Sequence, residues 1–174
     1  MSQELREHPQ YPNKLWIRGP LSISSGVLED LEEHALQEYP SECCGFVFGP
    51  SDKPALLDAS VRERNEADRY HALDPETFPR TSKTYFKINE LRAARVLEEA
   101  ADNNRPLKVV YHSHCDAAAY FSAEDIATFS NGGQLMWPCA FIVVSVIDGS
   151  LYERKLWVHV PGEDRFVEAE LCVQ

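Results

Sequence analysis

The run CCGFVFG at residues 43–49, closed by Gly-Pro, is apolar without a break. A strand with one face in water alternates apolar and polar residues, so a short unbroken run suits a strand covered on both faces. Residues 107–111 and the strongly β-branched 140–147 read as further strands. Asp148-Gly149 is a type I′ hairpin signal, and 151–160 returns from it. Shorter or more polar strands are expected at 15–17, 55–64 and 85–88, with an edge strand at 166–172. Three segments carry helix signals. One starts at a Ser24 or Ser25 cap and runs to about Glu38, with Leu28, Leu31 and Ala35 on one face and Pro40 ending it. A second is capped by Asn89 and runs to about Asp102, with Leu91, Ala94, Leu97 and Ala101 on its apolar side. A third begins at Ser122 and ends near Asn131-Gly132-Gly133. Strands and helices are mixed, which makes the chain α/β. Residues 1–14 are expected to form a flexible arm and 15–174 a single domain. The stretch 65–84 holds Pro75 and Pro79 and is expected to be irregular, either an insertion or a plain surface loop.

The 174 residues are enough to bury a core. A net charge of −11 with no basic stripe argues against nucleic acid as a partner. No apolar run reaches the length a bilayer requires. The polar, proline-bearing start MSQELREHPQYPNK is not a signal peptide, so a cytoplasmic protein without membrane partners is expected. Of the five cysteines (Cys43, Cys44, Cys115, Cys139 and Cys172) none stands in C-x-x-C, and the odd number argues against a disulfide framework.

Chemistry concentrates in residues 111–125, YHSHCDAAAYFSAED. Side chains two apart on an extended segment point the same way, so His112 and His114 can aim at one point. Ser122 and Asp125 share a face at the start of the next helix. Two imidazoles and a carboxylate make a catalytic zinc shell with a fourth position for water. Each part has a plainer role too. Ser122-x-x-Asp125 is equally a helix-capping pattern, and His-x-His equally a polar strand end. The joint pattern His-x-His-x7-Ser-x2-Asp arises by chance on the order of once in several thousand chains of this length. Glu42, at the entry of the buried run, is a candidate general base or a solvated loop glutamate.

Glu42 followed by His112-x-His114-x7-Ser122-x2-Asp125 resembles the signature of the JAMM/MPN+ zinc metalloproteases, over about residues 15–160. PSECCGFVFG, AYFSAED, the Trp137-Pro138 turn with FIVVSV, and Asn65 resemble its short bacterial branch. The resemblance implies a cytidine-deaminase-like fold, a mixed central sheet flanked by helices. It implies one catalytic zinc ion with a bound water, held by His112, His114 and Asp125. Glu42 would act as general base and proton donor, and Ser122 as oxyanion donor. The implied substrate is a ubiquitin-like sulfur carrier with a Gly-Gly C-terminus, from which the enzyme removes further residues or an attached amino acid. Two departures stand out: Cys115 replaces the family's usual proline, and 65–90 is longer than in compact members. Trp137-Pro138 and 65–90 are candidate walls of the substrate groove. A non-catalytic MPN scaffold is the alternative. A zinc deaminase would need P-C-x-x-C, and Pro138-Cys139 has no second cysteine at that spacing.

Overall fold

A computed structural model describes residues 4–174. The main sheet has six strands, side by side in the order Phe166–Ala169, Ser150–His159, Ala140–Ile147, Leu107–Cys115, Cys44–Phe48 and Ala59–Glu63. In chain order its members are β2 (Cys44–Phe48), β4 (Ala59–Glu63), β5 (Leu107–Cys115), β8 (Ala140–Ile147), β9 (Ser150–His159) and β10 (Phe166–Ala169). Only β5 and β8 run parallel, so the sheet is mixed. A small parallel sheet joins β1 (Leu21–Ile23), β3 (Leu56–Leu57) and β11 (Leu171–Val173), and β6 (Ser130–Asn131) pairs with β7 (Gln134–Leu135). The helices are α1 (Ser25–Glu38), α2 (Ala67–Leu73), α3 (Glu90–Asp102) and α4 (Ala123–Phe129).

Strands β2, β5 and β8 form the buried centre, as their largely apolar sequences suit. Alternation along β5 divides the layers. Tyr111 faces α1, where its hydroxyl pairs with His34 Nδ1 at 2.7 Å. Val110 and His112 face the other way, toward the aromatic layer of Phe86, Phe121 and Phe129. The Asp148-Gly149 turn has φ of 50° and 76°, both positive, as a type I′ hairpin demands.

The structure corrects several expectations. Residues 15–17 are part of a 3-10 helix (Leu15–Arg18), closed by Gly19 N–H on the Trp16 carbonyl, because that apolar triplet meets no ladder partner. Residues 85–88 form no strand. Their backbone is tied instead to the Asn65 side chain, which donates to Tyr85 O and accepts from Lys87 N. Residues 67–73 of the supposedly irregular stretch are helical. The second helix has its expected bounds and its Asn89 cap, but its inner face is turned: Ala93 and Ala100 are buried while Leu91 is 75% exposed. Small residues are what the close approach to the sheet admits. The 55–64 segment breaks at Asp58 into β3 and β4, and 166–172 divides between two sheets. The helix from Ser122 stops at Phe129, and Asn131-Gly132-Gly133 turns the β6–β7 hairpin. The expected arm falls partly on residues 1–3, outside the described residues. From His8 onward it is pinned: His8 is buried against His159 (Nε2 to Nδ1, 2.9 Å), and Gln10 and Tyr11 bond to Leu135. Among the described residues no helix is long and apolar enough to cross a membrane.

Gly45 sits mid-strand under the Tyr111 ring, and a Cβ there would enter that ring and lie 2.5 Å from the Val61 carbonyl oxygen. Gly45→Ala is expected to destabilise the fold by about 1–3 kcal/mol, read as a lowered thermal midpoint. An unchanged midpoint would mean the central strands yield more easily than this packing implies.

Candidate metal centre

Strand β5 is longer than its apolar run suggests. It continues through His112, Ser113 and His114 because β8 keeps pairing with it as far as Cys115–Val146. The histidines are therefore inside the sheet, not at the strand exit, and both project from one face. Asp125 comes from the first turn of α4. There Ser122-x-x-Asp125 forms the capping pair, and the same carboxylate reaches the two histidines. Ser122 Oγ accepts from Asp125 N at 3.1 Å, and Asp125 Oδ2 accepts from Ser122 N at 3.0 Å. The reciprocal pair locks the carboxylate toward β5. Since Ser122 Oγ is used there as an acceptor, its own hydrogen stays free to donate.

The three groups converge. His112 Nε2 lies 3.3 Å from His114 Nε2, and Asp125 Oδ2 lies 3.2 Å from the first and 3.4 Å from the second. All three residues are buried. Ligand atoms about 2.0–2.1 Å from one zinc ion in tetrahedral array stand roughly 3.3–3.4 Å apart, so the donor set and its spacing fit that ion. His114 Nδ1 donates to the Ala118 carbonyl at 2.8 Å, which leaves its Nε2 bare toward the centre. His112 stacks on Phe86, with ring centroids 4.4 Å apart, and its Nδ1 has no partner among the described residues. Burial pushes the Asp125 pKa up, yet the charge and hydrogen bond of His112, the nearness of His114 and the Ser122 N–H outweigh it. The carboxyl is held well below its usual range.

Glu42 precedes β2. Cys44 pairs with His112 and Ser113 N donates to Cys43 O, which places Glu42 beside His114 on the same face. Its backbone is fixed by Ser82 O, which accepts from Glu42 N, and by Asn65 Nδ2, which donates to Glu42 O. Asn65 thus anchors the base candidate and residues 85–87 together. Only 6% of Glu42 is exposed. Burial first, then the charge of Asp125, raises its pKa to about 9, with Arg80 opposing. Cys115 alternates to the face opposite His114. Its thiol is pushed up to about 12 by burial, then by Glu42 and Asp116. Phe86 and Trp137 line one groove of about 320 Å³ with Phe129 and Leu97, so parts of both expected wall segments meet there. Phe86 and the Ala118 carbonyl carried no sequence signal of their own: one is an apolar residue in a loop, the other a backbone group.

Residues 24–160 match the family of prokaryotic homologs of the JAB domain, and the chain belongs to it as a bacterial member of the JAMM/MPN class. The proteins named CysO-cysteine peptidase in Mycobacterium bovis and Mycobacterium tuberculosis are each 28% identical to it over 145 residues, 82% of this chain and 84% of theirs. Among solved structures, a Desulfitobacterium hafniense protein superposes with a TM-score of 0.65 at 18% identity, covering 89% of this chain and 93% of its own. A Salinibacter ruber protein gives 0.58 at 24%, covering 88% and 92%. A JAB1/MPN domain protein from Archaeoglobus fulgidus gives 0.50 at 17%, covering 90% and 99%. These likenesses establish the JAB1/MPN fold: a mixed sheet flanked by helices, as the resemblance implied.

The raised Glu42 pKa sets a pH dependence in metal-free protein. The folded carboxyl titrates near 9 against 4.5 for the free group. Its contribution is therefore fully present below about pH 4.5 and is lost as pH rises through about 9. Denaturant unfolding of metal-free protein is expected to show stability falling across that window, and Glu42→Gln is expected to flatten the fall. An equal slope in both proteins would place the titrating group elsewhere.

Proposed function

We propose that the protein is a zinc-dependent peptidase of the JAMM type. It hydrolyses the bond after the C-terminal Gly-Gly of a ubiquitin-like sulfur carrier, removing further residues or an attached amino acid, in the cytoplasm. The observation that carries the reading is the buried triangle of His112, His114 and Asp125 with Glu42 beside it. The names of the mycobacterial relatives support the substrate class.

His112 Nε2, His114 Nε2 and an Asp125 oxygen would hold the ion. When bound, zinc makes water a nucleophile near neutral pH and polarises the scissile carbonyl. Glu42 takes the proton from the attacking water and returns it to the departing nitrogen. Its burial suits this task, because the carboxyl is then a weak enough acid to keep a proton between the two transfers. Ser122 Oγ–H donates to the oxygen that gains charge on the carbonyl. The reciprocal bonds with Asp125 hold that hydroxyl in place before the substrate arrives. An extended Gly-Gly tail has no side chain to obstruct a narrow approach past Phe86.

The test is the intact mass of bacterial sulfur carriers bearing residues beyond Gly-Gly, incubated with the protein with and without a zinc chelator. Loss of the mass beyond Gly-Gly, blocked by the chelator, is expected. Glu42→Gln is expected to lower turnover by at least about 10²-fold while zinc stays bound. Full turnover by Glu42→Gln would remove Glu42 from the mechanism. Purified protein without zinc that leaves every carrier intact would support a scaffold.

A further inference from the structure

The two imidazoles of the triangle are not supported alike. Among the described residues His112 Nδ1 has no partner, whereas His114 Nδ1 donates to Ala118 O. Ala118 belongs to three consecutive alanines, Ala117–Ala119, between β5 and α4. Such a segment has no side chain long enough to anchor itself, and its backbone is held from outside. Ser145 Oγ donates to Ala117 O. Glu153 Oε2 accepts from Ala119 N at 2.9 Å, and Trp157 Nε1 donates to Ala119 O at 2.9 Å.

These holders are not scattered. His114 pairs with Ser145 across β5–β8, and Ser145 with Glu153 across β8–β9. Residues directly opposite one another share a face, so His114, Ser145 and Glu153 form one row across three strands. Trp157 stands four residues further along β9, on the same face by alternation. The alanine segment crosses over this row. Glu153 has a weaker competing role: its nearest cation is Lys155 Nζ at 4.0 Å, with both side chains about a third exposed.

We propose that Glu153 and Trp157 are positioning residues for the metal centre. By fixing both backbone groups of Ala119 they set the Ala118 carbonyl, and through it the tautomer and direction of His114. An imidazole that keeps its proton on Nδ1 presents a bare Nε2. Outer groups that orient a metal-binding histidine are typically worth 10–100-fold in metal affinity. The inference rests on the zinc reading given above for His112, His114 and Asp125.

Two readouts test it on the full chain. The first is zinc affinity by competition with a chromogenic chelator. The second is the 15N shifts of the His114 ring nitrogens in zinc-free protein. Glu153→Leu and Trp157→Phe are each expected to weaken zinc binding about 10–100-fold and to shift His114 toward a mixture of tautomers. Glu153→Gln keeps an oxygen that can accept from Ala119 N–H, and is expected to restore both readouts toward the parent. Parent-like zinc affinity and an unshifted His114 Nδ1 proton in Glu153→Leu and Trp157→Phe would overturn the proposal. A parent that takes up no zinc would overturn the functional reading, while the ring-nitrogen shifts would still decide this one.

Discussion

Two imidazoles and a carboxylate meeting in a buried space is the most demanding arrangement in this fold. Unpaired polar groups taken out of water cost several kcal/mol unless each finds a partner. The surrounding architecture answers that demand. Pairing with β8 carries β5 past its apolar run, so both histidines stay inside the sheet. The capping pair of α4 aims Asp125 at them. The clamped alanine segment supplies the carbonyl that accepts the His114 Nδ1–H hydrogen bond. Among the described residues nothing pairs with His112 Nδ1, on a ring stacked against Phe86.

The same burial leaves two neighbouring carboxyls with opposite shifts. Asp125 gathers the imidazoles and a backbone N–H and stays ionised. Glu42 is buried within reach of the Asp125 charge, which Arg80 only partly offsets, and its pKa climbs to about 9. Environments that push neighbouring carboxyls apart are the usual way one site obtains both a permanent anion and a proton carrier. A divalent cation in the triangle would cancel the charge of Asp125 and add its own. Glu42 would then return toward neutral pH, where a group that accepts and gives back a proton works best.

The site was legible because its parts are side chains at fixed spacings on regular elements. His-x-His on a strand and Ser-x-x-Asp at a helix start each declare a direction, and the structure brings both to one point. What escaped the sequence depends on partners distant in the chain. The β5 histidines lie within the strand because of pairing with β8, which no local pattern encodes. The α3 face was misjudged because its largest apolar residue, Leu91, points to solvent while Ala93 and Ala100 allow close contact with the sheet. Residues from His8 onward read as polar tail, yet a single imidazole pair with His159 and bonds to Leu135 hold them down. Backbone groups such as the Ala118 carbonyl leave no mark on a sequence at all.

The most direct test of the central claim is X-ray absorption spectroscopy on the zinc-loaded protein. A centre built from His112, His114 and Asp125 predicts a first shell of nitrogen and oxygen only, at about 2.0–2.1 Å. A sulfur shell near ~2.3 Å would bring a cysteine such as Cys115 into the site and contradict the account.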